Sequence, residues 1–259
     1  MILNKKEMEK LNDISFAEPF TVNNENYYVK KTNRYNYEML GFILARLFEI
    51  KSPECSLVKL DNVYVFSKDL NDIGRFEIMQ EITDMDSNAI KDIISTLQDI
   101  EEEQIIRMYL YDMFFQNCDR SKGNYGVIKD DLYIIDNESI FDLYDIPIVT
   151  SSDYEIMSYE LTDDTYMNVV KYEISTFLLK YNDYKYIIKD ILNKINPYKL
   201  KYICNGLGIE NTDFVIFYTK VYNEIKNMIN LNENELININ ESVLIDDINL
   251  DNLAKKKYS

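Results

Sequence analysis

Residues 117–141 read NCDRSKGNYGVIKDDLYIIDNESIF. They hold Asp119, Asn124 and Asp136, together with two of the chain's six glycines, Gly123 and Gly126. Phosphoryl transfer asks a protein mainly to position groups and neutralise charge. One arrangement for this uses an Asp that orients the attacking hydroxyl and an Asn five residues on that holds a metal ion. A second metal-binding Asp then follows after a short hairpin. Here YGVIKDDLYIID predicts two strands turning at Asp130-Asp131, which would return Asp136 beside Asn124. Hard oxygen ligands of this kind suit Mg2+. A loop-capping Asp and a hairpin-end Asp would give the same spacing. This Asp- and Asn-rich chain also repeats it at Asp112/Asn117 and Asp247/Asn252. Asp112, however, lies inside a strong helix pattern, and no strand–turn–strand follows Asp247. Context therefore singles out Asp119.

Working outward, residues 27–42, YYVKKTNRYNYEMLGF, offer a cation and a carboxylate. Lys30 ends an apolar strand, and Glu38 falls in the first turn of the next helix. Strand alternation puts Lys30 and Lys31 on opposite faces, so one of them can enter a cleft; Lys30 is the choice. Each of these charges alone would also suit an exposed surface. FTVNNENYYVKK predicts two strands around a polar turn. The helix after it places Leu40, Ile43, Leu44, Leu47 and Phe48 on one stripe. SLVKLDNVYVFSKDL predicts a hairpin with Asp61-Asn62 as its turn. Beyond Asp69 helical patterns dominate, at 87–100, 102–117, 166–181, 184–195 and 213–229; in the second, Ile105, Met108, Tyr109 and Met113 line one face. The expected class is α+β and two-lobed, with a small β-rich N-lobe over 1–69 and a larger helical C-lobe over 70–259 that carries the loop 117–141. The tail 246–259 is polar and expected to fray.

Composition narrows the chemistry. The chain has 259 residues, 46% hydrophobic and 28% charged, a globular profile. Its formal net charge of −17 argues against general nucleic-acid binding. It has no histidine, which excludes Ser-His-Asp triads and imidazole metal sites. Three cysteines without CxxC spacing read as reduced thiols of a cytoplasmic protein. The charged N-terminal stretch MILNKKEMEKLND does not read as a signal peptide, and no apolar run is long enough to cross a membrane.

DRSKGN and IIDNESIF together resemble the D-R-H-x-x-N…I-D-N-G pattern of HipA-like atypical serine/threonine kinases, including the short CtkA-like proteins, distant relatives of phosphatidylinositol kinases. YYVKK and YEMLGFILARLFEIKSPECSLV resemble their nucleotide-lobe Lys strand, Glu helix and following strand. VYVFSKDL resembles their hinge strand. The resemblance spans roughly residues 15–145. It implies a protein-kinase-like fold, a bacterial-type kinase using ATP and Mg2+, and a protein Ser or Thr as substrate. It further implies that Lys30 contacts the ATP phosphates and pairs with Glu38. Ser67 and Asp69 would offer backbone groups to the adenine, Asp119 would orient the acceptor hydroxyl, and Asn124 and Asp136 would hold Mg2+. Autophosphorylation in the covering segment would fall on Ser15 or Thr21. Ser121 stands where the family has His, Glu138 where it has Gly, and no glycine precedes Gly41. These departures keep open a pseudokinase acting as a binding module. The residues also leave room for a kinase-fold enzyme on a lipid or small molecule, and for an acidic inhibitor that mimics nucleic acid.

Overall fold

The computed structural model describes residues 3–14, 16–78, 100–115, 117, 120, 123–140, 163–210 and 213–246. Asp119, Ser15, Ser121, Cys118, the Asp247/Asn252 pair and most of the 87–100 helix pattern lie outside them.

The chain begins with α1, Lys5–Leu11, whose start is fixed by reciprocal hydrogen bonds between Asn4 and Glu7. This capping box satisfies backbone donors that a helix end leaves orphaned. Four antiparallel strands follow: β1 Glu18–Val22, β2 Glu25–Lys31, β3 Cys55–Lys59 and β4 Val63–Lys68. They pair in the order β1-β2-β4-β3. Between β1 and β2 the turn residues Asn23 and Asn24 have φ of 51° and 65°. A two-residue hairpin loop matches strand twist only when both residues are left-handed, which Asn tolerates.

Alternation sorts the sheet into two faces. Val29, Tyr64 and Phe66 are fully buried and pack with Leu11 and Ile14, so α1 and its tail cover that side. Lys30 stands opposite Val65 and therefore shares the other face. That face turns toward α2, Tyr35–Leu47.

After β4 the fold becomes helical. β5, Glu77–Ile78, joins the hairpin of β6, Tyr125–Ile128, and β7, Asp131–Ile134, in a three-stranded sheet ordered β5-β6-β7. The helices are α3 Glu102–Phe115, α4 Asp163–Lys180, α5 Lys185–Lys194, α6 Pro197–Gly206, α7 Asp213–Met228 and α8 Glu233–Asp246. α3 is central. Of the stripe expected on it, Ile105 and Met108 are buried and Tyr109 and Met113 partly so. Ile106, Leu110, Tyr111, Phe114 and Phe115 are fully buried as well, so neighbours surround the helix on several sides.

Both remaining hairpin turns shift from the expected positions. The β3–β4 loop spans three residues, Leu60, Asp61 and Asn62, because Lys59 pairs with Val63. The β6–β7 turn is Lys129-Asp130, one residue early, with Lys129 at φ 58°. In this register Ile128 and Tyr133 lie on one face and Leu132 and Ile134 on the other, and all four are buried.

The sheet half meets the helical half at the end of α2. Phe48 is fully buried, with its ring 5.6 Å from Tyr111, 5.9 Å from Phe114 and 5.1 Å from Phe115. Arg107 donates to the Phe48 carbonyl at 3.2 Å and pairs with Glu49 and Glu103. Replacing Phe48 by Ala removes the ring on which these three aromatics converge. We expect a loss of about 3–5 kcal/mol in urea-melt stability; a loss below about 1 kcal/mol would mean this junction is not part of the core.

Candidate active site

Three segments converge beneath the inward face of β2. β2 supplies Lys30, the first turn of α2 supplies Glu38, and the chain leaving β7 supplies Asp136. Lys30 Nζ lies 3.2 Å from Glu38 Oε2 and 2.7 Å from Asp136 Oδ1. The Glu38 side chain is 4% exposed and that of Asp136 41% exposed. Burial opposes the Lys30 charge, but Glu38, Asp136 and Glu138 outweigh it and hold its pKa above the usual lysine value. Burial lifts the Glu38 carboxyl above its ordinary range, while Lys30 pulls the other way.

Asp136 adopts φ 53°, a left-handed conformation that Asp reaches more readily than most residues. The backbone on both sides of it is pinned. The Ile135 N–H donates to the Asn124 carbonyl at 2.9 Å, so the hairpin does set Asn124 beside the Asp136 segment. Arg120, whose side chain is 8% exposed, donates to the carbonyls of Asn124 at 2.8 Å and Ile135 at 3.0 Å and to Asn137 Oδ1 at 2.9 Å. Its guanidinium also pairs with Asp112 at 3.1 Å. Asp112 in turn accepts from Asn117 Nδ2 at 2.9 Å. The Asp112/Asn117 spacing, set aside in the sequence as a repeat of the motif, is thus the support beneath it.

Gly41 sets how closely α2 approaches this loop. A Cβ built there would lie 2.4 Å from Asn137 Cβ and 3.1 Å from the Tyr111 hydroxyl, which donates to the Gly41 carbonyl at 3.0 Å. Neither Gly41 nor Arg120 drew a role from sequence reasoning. Arg120 did sit inside the quoted motif, and Gly41 was conspicuous as the first glycine of the chain.

Of the other expected residues, Ser67 and Asp69 lie at the end of the central strand β4 and Thr21 lies in the edge strand β1. Ser67 lies in β4 between Tyr28 and Cys55, its Oγ 3.4 Å from Cys55 Sγ. Asp69 follows β4; its N–H donates to the Asn26 carbonyl at 2.9 Å and its carboxylate caps the turn at Asn71. Thr21 lies in β1 with its hydroxyl donating to Asn26. Ser67 stands opposite Tyr28, two residues before Lys30, and so shares the Lys30 face of the sheet. A separate cavity of about 510 Å³ is lined by Arg46, Lys51, Lys68 and Tyr133 among others and holds none of Lys30, Glu38 or Asp136.

The carboxylate oxygens of Glu38, Asp136 and Glu138 lie within 4.8 Å of one another, hard donors of the type Mg2+ takes, and the Lys30 ammonium is the cation all three share in this structure.

No protein-family model and no curated protein matches the chain. Among solved structures it is similar to the Helicobacter pylori proinflammatory kinase CtkA, at 18% identity and a TM-score of 0.57, over 87% of this chain and 98% of that one. The fold is kinase-like. Its small antiparallel sheet and its helices match the two-lobed arrangement of that fold. No helix of the described residues is long and apolar enough to cross a membrane.

Two outcomes test this geometry. Gly41→Ala should push α2 away from residue 137 and lower the melting temperature, while the same change at the open position Gly206 should not. Lys30→Met leaves Glu38 buried without its cation, so its folded pKa rises further. A raised carboxyl pKa gives stability that is complete below about pH 4.3 and is lost as pH climbs through the folded value. The variant should therefore lose stability relative to wild type as pH rises above the ordinary carboxyl range; a parallel profile would show that Glu38 does not depend on Lys30.

Proposed function

We propose that this protein is an ATP- and Mg2+-dependent phosphotransferase of the HipA/CtkA-like kind, cytoplasmic, acting on a Ser or Thr of a protein. The observation that carries the reading is Lys30, bonded at once to Glu38 on α2 and to Asp136 at the end of the β6–β7 hairpin, in a kinase-like fold. In this reading the lobes divide near residue 69, and the nucleotide enters between them.

Lys30 would meet the nucleotide phosphates, with Glu38 fixing its direction. Asn124 and Asp136 would hold Mg2+, which supplies neutralising charge to the phosphates when bound. Asp119 would accept or orient the proton of the attacking hydroxyl. Ser67 and Asp69 would offer backbone groups at the adenine edge; the Asp69 N–H is held by the Asn26 carbonyl and its carbonyl accepts the Asp72 N–H in this structure. Arg120 acts through the backbone, holding the Asn124 and Asp136 segments in register. The second reading is a nucleotide-binding pseudokinase. Glu138, whose carboxylate lies 3.4 Å from Lys30 Nζ, favours it.

Incubation with labelled ATP and Mg2+ separates the two. Transfer to the protein itself or to a lysate protein, reduced roughly a hundredfold or more by Asp119→Ala and by Asp136→Asn, is the expected result. Binding of nucleotide without transfer would establish the pseudokinase. Failure of any transfer, with Asp119→Ala indistinguishable from wild type, would remove the enzyme.

A further inference from the structure

Lys30 carries a third carboxylate. Glu138 Oε2 lies 3.4 Å from Lys30 Nζ and accepts a hydrogen bond from Thr32 Oγ1 at 2.8 Å. The Thr32 hydroxyl is itself oriented, because its oxygen accepts the Arg34 N–H at 3.0 Å and leaves the proton for Glu138. Arg34 extends the same seam, donating from its guanidinium to the Ile140 carbonyl at 3.2 Å. Thus residues 32–34, between β2 and α2, are stitched to residues 138–140, which leave the β6–β7 hairpin. One anionic oxygen of that stitch sits on the lysine expected to receive phosphate.

We infer that Glu138 is an internal stand-in for the nucleotide phosphates: held by Thr32, its carboxylate occupies Lys30 in the ligand-free protein and is displaced when a nucleotide di- or triphosphate binds. This rests on the phosphotransfer reading above. The chemistry is a competition of like charges for one ammonium. Glu38 is buried and Asp136 makes the shortest contact to Lys30, at 2.7 Å. Glu138 makes the longest, at 3.4 Å, with its side chain 29% exposed. Of the three it is therefore the one that a competing anion displaces most readily. A juxtaposed like charge left in the site is costly, so removing Glu138 should strengthen anion binding.

The test uses the full chain with Glu138→Gln and Thr32→Val, and two readouts. The first is the rate at which an amine-reactive reagent labels Lys30 in the nucleotide-free protein, read by peptide mass spectrometry. The second is the Kd of a fluorescent ADP analogue with Mg2+. The stand-in predicts faster Lys30 labelling and about tenfold tighter nucleotide binding for Glu138→Gln. Thr32→Val should shift both in the same direction by less, and melting curves confirm that both variants fold. Unchanged labelling and unchanged Kd in Glu138→Gln would overturn it. So would weaker Mg-nucleotide binding in Glu138→Gln with no effect of Thr32→Val, which would make Glu138 a metal ligand. Faster labelling in a protein that binds no nucleotide in any form would sink the phosphotransfer reading itself, and the stand-in with it.

Discussion

The close approach of α2 to residue 137 governs the rest of the site. Gly41 has no Cβ, and the space a Cβ would fill is already taken by Asn137. Glu38 sits three residues earlier on the same helix face. Once Gly41 rests on Asn137, Glu38 is therefore directed at the segment that bears Asp136. Asn137 is 2% exposed and links onward to Arg120, which rests on Asp112 of α3. A sheet-borne lysine and a hairpin-borne aspartate thus meet through a chain of contacts that ends in the central helix of the core. The Tyr111 hydroxyl, also from α3, closes the chain on the Gly41 carbonyl.

Charge is arranged locally against the global trend. The protein carries a formal −17, yet Lys30 and Arg120 are largely buried at this one place. Each is matched by carboxylates or carbonyls, as buried cations must be. Arg120 spends its guanidinium on backbone oxygens and Asp112, so it is a brace and not an anion receptor. Lys30 differs: its partners are side chains, one of them movable. Net charge describes how the molecule meets others in solution. It does not decide whether a phosphate finds a cation in the cleft.

The sequence disclosed patterns that are local and periodic. Alternation set Lys30 and Lys31 on opposite faces, and in the sheet Lys30 stands opposite Val65 while Val29 and Phe66 lie on the α1 side. The helix at Glu38 and the hairpin returning toward Asn124 were readable for the same reason. What sequence did not disclose depends on tertiary contact. Gly41 is needed for a neighbour far along the chain. Arg120 recognises carbonyl oxygens, which leave no signature in side-chain type. Asp112 and Asn117 looked like a decoy because spacing cannot tell a ligand pair from its support. The helices Pro197–Gly206 and Glu233–Asp246 escaped because lysines and asparagines dilute their apolar stripes. α1 escaped too, although Asn4 and Glu7 were its capping signal.

Asp136 and Glu138 lie two residues apart and are held in opposite ways. Asp136 takes a left-handed φ, an arrangement that costs on the order of 1 kcal/mol or more and persists only where the surroundings enforce it. Here the Ile135 amide and carbonyl and the Asn137 side chain are all engaged, so the backbone that carries the carboxylate is held. Glu138 has no such enforcement; Thr32 and Lys30 hold it through its carboxylate. A ligand that competes for Lys30 therefore meets one anion whose position is set by backbone and another whose position is set by the very ion pair the ligand replaces. The rigid anion suits a metal ion, which gains from fixed geometry. The releasable one suits an exchange with phosphate, since the Lys30 ammonium trades one anionic oxygen for another and the glutamate recovers hydration on leaving.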